Sequence, residues 1–172
     1  MGLSIRNVTE QDAEAIAAIY AHHVLHGTAS YDTEPPLLAD TLAKIRRIAA
    51  PSWPFLAAEM DRALVGYAYA TQLRDRQGYR FSAEDSIYVH PEWTGRGVGK
   101  ALLSELLRRS ESCGFRTIIA VIGGAEPSSV ALHASLGFKQ VGRLERVGFK
   151  FGRWLDTVYM QRDLGPLAEP PN

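Results

Sequence analysis

With 172 residues, 46% of them hydrophobic, the chain is long enough for one domain with a substantial core. Its 19 basic side chains balance 19 acidic ones and form no long basic run, which argues against nucleic acid as a partner. A single cysteine, Cys113, excludes an internal disulfide, and no apolar run approaches the roughly 18 residues of a membrane span, so a soluble, cytoplasmic protein with no membrane partner is expected.

Leu3-Ser4-Ile5-Arg6-Asn7-Val8 alternates in polarity and reads as an opening strand. Thr9, with Asp12 three residues on, is a variant capping box for a helix. Ala13, Ile16, Ala17, Ile19 and Tyr20 repeat at helical spacing through to Gly27. Pro35-Pro36 interrupts the chain before a second helix from Leu37 to Ile48. Phe55 to Met60 and Leu64 to Thr71 are strands joined by an Asp61-Arg62 turn. A charged link from Arg74 to Arg80 leads to a strand ending at Val89, and a glycine-rich turn then opens a helix whose apolar face is Val98, Leu102 and Leu106. Ile118 to Ile122 is an uninterrupted apolar run, predicted to be a strand buried on both faces. Ser128 to Leu136 is a short helix closed by Gly137, and Val141 to Arg146 and Trp154 to Arg162 are closing strands. The order β-α-α-β-β-β-α-β-α-β-β predicts one mixed α/β domain over residues 1–164, with residues 165–172 a disordered tail.

The most informative segment is Thr94-Gly95-Arg96-Gly97-Val98-Gly99, where glycines alternate at a strand-to-helix junction. Glycine lets backbone approach a ligand closely, and the free N–H groups of a helix start attract phosphate. The element reads as a pyrophosphate cradle, the plainer alternative being an ordinary strand–helix turn. Lys100-Ala101 does not supply the Lys-Ser/Thr of a P-loop. The Gly-x-Gly-x-Gly spacing, more than halfway along the chain, does not match a Rossmann fingerprint either.

The element order with a Gly-x-Gly turn after the fourth strand resembles the GNAT N-acetyltransferase superfamily. Six further blocks resemble its phosphinothricin/methionine sulfoximine acetyltransferase group: Gly66-Tyr67-Ala68-Tyr69-Ala70, Arg76-Gln77-Gly78-Tyr79, Ala83-Glu84-Asp85-Ser86-Ile87-Tyr88-Val89, Ala120-Val121-Ile122-Gly123, Ser129-Val130-Ala131-Leu132-His133 and Val147-Gly148-Phe149-Lys150-Phe151-Gly152-Arg153-Trp154. The resemblance runs from about Ile5 to Leu164. It implies a mostly antiparallel sheet of about seven strands with helices on both faces, and acetyl-CoA held in the splay between the fourth and fifth strands. It also implies a homodimer. The cofactor contacts it implies are the backbone of Ile87, Tyr88 and Val89, the turn Gly95, Arg96, Gly97, Val98, Gly99 and Lys100, and Glu126 and Ser129 beyond the fifth strand. Three positions depart from the group: Thr94 for Arg or Gln, Glu126 for Asn, and Leu73 for Trp. A carboxylate at position 126 cannot donate as an amide does and repels phosphate.

Acetyl transfer to an amine requires a held thioester, a neutral amine and a stabilised oxyanion. An α-amine is mostly protonated near pH 7, so a base must take its proton. Glu84 matches the base position of the family, and partial burial would raise its pKa usefully; the alternative is a solvated strand carboxylate. Strand alternation sends Asp85 to the opposite face. Tyr88 and His133 are the candidates for protonating the leaving thiolate, and a strand N–H around Tyr88 for the oxyanion. Cys113, near a helix C-terminus, is poorly placed for a thiolate, which favours direct attack by the amine over a covalent enzyme intermediate.

Arg74 and Arg76, separated by Asp75, suit a carboxylate or phosphinate head, with Tyr31 and Tyr79 as pocket walls; the alternative is a solvated charged loop. Lys150 and Arg153 are further candidates from the last hairpin, acting across a subunit boundary. His22, His23 and His26 have helical spacing but no further ligand, so no metal is expected. The expected activity is acetyl-CoA-dependent N-acetylation of a small amino-acid analogue of the phosphinothricin, methionine sulfoximine or methionine sulfone type. Another small amine or peptide N-terminus, and a non-catalytic CoA-binding sensor, are the competing readings.

Overall fold

The computed structural model describes residues 2–165, so most of the predicted tail lies outside the described residues. Seven strands and four α-helices follow the expected order: β1 (Ser4–Asn7), α1 (Ala13–His26), α2 (Leu38–Ala49), β2 (Phe55–Met60), β3 (Ala63–Gln72), β4 (Ser82–Val89), α3 (Val98–Ser112), β5 (Thr117–Gly123), α4 (Pro127–Ser135), β6 (Lys139–Lys150) and β7 (Arg153–Asp163). The strands form one sheet in the order β1-β2-β3-β4-β5-β7-β6. All neighbours pair antiparallel except β4 and β5.

Local chemistry places most of these boundaries. The backbone N–H of Thr9 donates to Asp12 Oδ2 at 2.7 Å, which satisfies a free donor at the start of a short 3₁₀ turn leading into α1. The β2–β3 hairpin turns through Asp61 and Arg62, both at positive φ, the backbone demanded by a two-residue turn that follows strand twist. Gly137, at φ 86°, ends α4 as a left-handed residue.

The helices divide between the faces. Leu102, Leu103, Leu106 and Leu107 of α3 are buried with Ile118, Ile122, Val158 and Met160 of the sheet, and partly buried Leu132 and Leu136 at α4 pack on the same cluster. On the other face Ile16 and Ile19 of α1 and Ile45 and Ile48 of α2 bury Phe55 and Tyr67, with Tyr88 packed beside them. This second layer packs on β2, β3 and β4 and leaves β6 partly bare: Val141, Leu144, Val147 and Phe149 are all exposed. The same arrangement corrects the expectation for β5. Its residues alternate, with Ile118, Ala120 and Ile122 buried toward α3 but Ile119 and Val121 only half-buried, because no helix of the α1–α2 layer packs over them.

Candidate active site

The gap that could take a ligand is written in the register. Parallel pairing of β4 with β5 runs from Ser82↔Thr117 to Asp85↔Ala120 and stops there. Beyond it the strands diverge, and the residues Ser86–Tyr88 and Val121–Gly123 border a cavity of about 230 Å³. On the β3 side Leu73 N donates to Ser82 O and His90 N to Val65 O, so even-numbered backbone groups of β4 face β3 and odd-numbered ones face the gap. The free strand groups in the gap therefore belong to Ile87 and Val89. This corrects the expectation for Tyr88, whose own N–H is turned toward β3.

One of those groups is already taken. His23 Nε2 donates to Val89 O at 2.8 Å, and burial lowers the pKa of His23, keeping the ring neutral with its proton on Nε2. His22 and His26 face each other instead, with ring centroids 4.8 Å apart. The inward position of His23 was available from helical spacing, since it follows Ile19 by four residues and Tyr20 by three.

A second, adjoining cleft of about 550 Å³ runs over the glycine turn and the start of α4. Gly95 and Gly97 have φ of 72° and 83°, and a Cβ built on either meets nothing within 4 Å, so the turn presents bare backbone to open space. Gly97 caps α3 with no side-chain hydrogen bond, and the first intrahelical bond is Ala101 N to Gly97 O. The amides of Val98, Gly99 and Lys100 precede it and have no intrahelical acceptor. Gly95, Gly97, Gly99, Lys100, Ser129 and Glu126 line the cleft. The Val98 side chain is in the core, so only its amide is available. Arg96 lies over the Trp93 ring at 5.1 Å and does not line the cleft. The cradle thus fits a diphosphate-bearing, strand-like ligand, except that Glu126 brings a negative charge; its Oε1 accepts from Ser128 Oγ at 3.2 Å.

Glu84 lies half-buried on the cavity wall. Burial raises its pKa; the guanidinium of Arg74, with Nη1 3.9 Å from Oε2, opposes that rise and the neighbouring charge of Asp85 adds to it. A carboxylate tuned upward at a cavity wall is suited to accept a proton. Asp85 points the other way, as alternation requires, and meets His133: His133 Nε2 is hydrogen-bonded to Asp85 Oδ2 at 2.9 Å and Nδ1 to Ser129 O at 2.7 Å. Burial disfavours the charge on this ring, but the hydrogen bond and charge of Asp85 and the Ser129 carbonyl outweigh it, so the pKa is raised. His133 lines the same cavity as Glu84, 2% exposed, with one ring nitrogen hydrogen-bonded to Asp85 and the other to Ser129.

Tyr88 also lines the cavity. Its ring packs edge-on to Tyr20 at 5.1 Å and against Tyr67 at 5.4 Å, and burial holds its phenol well above the usual tyrosine range. Tyr31 is not a pocket wall. Its hydroxyl donates to Asp156 O at 2.9 Å, lies 2.7 Å from Thr157 Oγ1 and accepts from Gly124 N at 3.1 Å, which braces the end of β5 against β7. Its ring also occupies the space above Gly148, where a Cβ would sit 2.5 Å from Cζ.

Of the charged link, Arg74 alone approaches the cavity; Asp75, Arg76 and Tyr79 are exposed and do not line it. Gln72 Nε2 donates to the carbonyls of Arg74 and Arg76 and so pins the link beside β3. The opposite wall carries Ala29 and Ser30, which sequence reasoning did not single out. Ser30 is held by Tyr20 through its hydroxyl at 2.8 Å and by the ammonium of buried Lys150, which donates to Ser30 O at 2.8 Å. Lys150 thereby supports the site from within its own chain. Cys113 lies at the far end of α3, against Trp53 and Arg109, and partial burial of its sulfur raises its pKa.

Residues 5–159 match the family model of the acetyltransferase (GNAT) domain. The chain is 48% identical to a phosphinothricin N-acetyltransferase of Alcaligenes faecalis over 94% of this chain and 82% of that one. It is 36% identical to an L-methionine sulfoximine/L-methionine sulfone acetyltransferase of Salmonella typhimurium over 98% of both. The crystal structure of a GNAT superfamily phosphinothricin acetyltransferase from Sinorhizobium meliloti in complex with AcCoA superposes with a TM-score of 0.97 at 48% identity, covering 100% of this chain and 94% of that one. With its parallel strands parted at Asp85↔Ala120 and a glycine-capped helix beside the gap, the chain belongs to the GNAT acetyltransferase family.

Proposed function

We propose that this protein transfers an acetyl group from acetyl-CoA to the α-amine of a small amino-acid analogue of the phosphinothricin, methionine sulfoximine or methionine sulfone type. The observation that carries the reading is Glu84, a half-buried carboxylate with a raised pKa on the wall of the strand gap, beside Arg74. The residues present fit acetyl-CoA. The amides of Val98, Gly99 and Lys100 suit its diphosphate, and the gap-facing N–H and C=O of Ile87 with the N–H of Val89 suit its amide-bearing arm, as an added strand would. When bound, it supplies an acyl group already activated as a thioester.

Glu84 takes the proton of the substrate ammonium, directly or through one water, and frees the amine lone pair for attack. The gap-facing N–H groups of Ile87 and Val89 are placed to donate toward a developing oxyanion. As the C–S bond breaks, the proton that the attacking nitrogen still carries passes through water to the departing thiolate, so the products are the neutral amide and the free thiol. Cys113 lies away from the gap, in accord with direct attack. Arg74 recognises the anionic or strongly polar tetrahedral head of the substrate. A cationic polyamine is disfavoured at that mouth on charge.

The exposed apolar residues Val141, Leu144, Val147, Phe149 and Trp154 support a homodimer through β6 and β7, in a reducing, cytoplasmic setting suited to the lone cysteine. A thiol-release assay with acetyl-CoA tests the reaction against the three analogues, glutamine and spermidine. Turnover of one or more analogues with little on spermidine is expected. Rapid acetylation of spermidine with none on the analogues overturns the substrate class.

A further inference from the structure

The mechanism above leaves one buried charged pair unused, and it stands where the two parallel strands part. Asp85 is the last β4 residue paired with β5, and its carboxylate meets His133 of α4 with side-chain exposures of 1% and 3%. The ring of His133 is hydrogen-bonded at both nitrogens, at Nε2 to Asp85 and at Nδ1 to Ser129 in the first turn of α4. It thus ties the strand to the helix directly. Among the described residues this is the one side-chain hydrogen bond joining β4 to α4.

A buried ion pair is a poor source of stability, since desolvation offsets most of its attraction, and an apolar pair of similar volume would hold the core at least as well. What this pair supplies is a fixed geometry. β4 carries Glu84 and the gap-facing groups of Ile87 and Val89; α4 carries Ser128, Ser129 and Leu132 on the wall of the cofactor cleft. The second oxygen, Asp85 Oδ1, is buried without a partner in a residue that lines the cavity, so the carboxylate is not there merely to satisfy its neighbours.

We infer that Asp85 is a positioning residue for the transfer: through His133 it holds the first turn of α4 against β4, which sets the width of the gap and brings the cofactor cleft into register with Glu84. The inference rests on the acetyltransferase reading, which the wild-type assay tests by itself.

Asp85→Asn, His133→Gln and the double variant test it, by steady-state kinetics with acetyl-CoA and the best analogue, acetyl-CoA affinity by calorimetry, and thermal unfolding. Asp85→Asn is expected to raise the KM for acetyl-CoA about tenfold with a parallel loss of affinity, to lower kcat, and to leave the KM for the amine within about twofold. His133→Gln is expected to reproduce that split, and the double variant to be no worse than the poorer single one, because both remove the same link. A purely structural role would lower the unfolding temperature while folded protein kept wild-type kcat and KM, and that result overturns the proposal. Multiplying effects in the double variant overturn the route through His133. Where Asp85→Asn does not fold, Asp85→Ala and His133→Gln decide on the same kinetic criteria.

Discussion

Glu84 and Asp85 show how one strand gives adjacent carboxylates opposite environments. Alternation turns Glu84 toward the α1 side, where Arg74 and solvent reach it, and Asp85 toward α4, where only His133 does. Glu84→Gln preserves size and removes the proton acceptor, so kcat is expected to fall about 100-fold or more with acetyl-CoA affinity unchanged. Near-normal kcat where chemistry limits the rate would remove Glu84 as the base. Arg74 has a separable effect. As base, Glu84 acts ionised, so kcat/KM rises with pH through its pKa; Arg74 favours the ionised form and holds that pKa down. Arg74→Ala is therefore expected to move the acid limb of the pH profile upward, and to raise the KM of the amine. A limb that stays in place or moves down counts against the contact.

The decisive element is the turn into α3. Gly97 combines a left-handed backbone with open space above it, and the amides that follow have no intrahelical acceptor. Valine at that position would be strained by its φ of 83° and would put a branched side chain where a diphosphate approaches. Gly97→Val is expected to weaken acetyl-CoA binding at least tenfold by calorimetry, while circular dichroism still reports a folded protein. Equal affinity would take the cradle out of the mechanism. The element opposite, the segment carrying Ala29, Ser30 and Tyr31, is held by Tyr20, Lys150 and the Gly124 amide. It is a rigid wall built from long-range contacts.

At the scale of the molecule, two helices cover β2 to β4 and leave much of the sheet beyond β5 bare on that side. Phe149 and Trp154, 57% and 62% exposed with rings 5.2 Å apart, form an apolar patch on the β6–β7 hairpin. Burying such a patch against a second copy would be favourable by roughly 25 cal/mol per Å² of apolar surface. Phe149→Asp is expected to convert a dimer into a monomer in light scattering at micromolar concentration, since a carboxylate in a dry interface lacks a partner. A wild-type protein that is already monomeric there would dispose of the dimer.

The element order, the Asp61-Arg62 hairpin turn, the capping box of Thr9 and Asp12 and the glycine turn before α3 were all legible in the sequence. Each rests on residues within one turn or one strand of each other, where polarity period, glycine and capping chemistry act directly. Glu84 and Arg74 were legible too, because the charged link and the strand that carry them are adjacent in the chain. What only the tertiary structure decided is which distant groups meet. Asp85 finds His133 across 48 positions, His23 finds Val89 across 66, and Lys150 finds Ser30 across 120. The first of these binds His133 to the strand that carries Glu84, and Tyr31 is likewise held by Asp156, Thr157 and Gly124, away from the pocket. The physical reason is that a strand's residue types state which groups point to each face, whereas sheet order and the place where two strands part determine what stands opposite them.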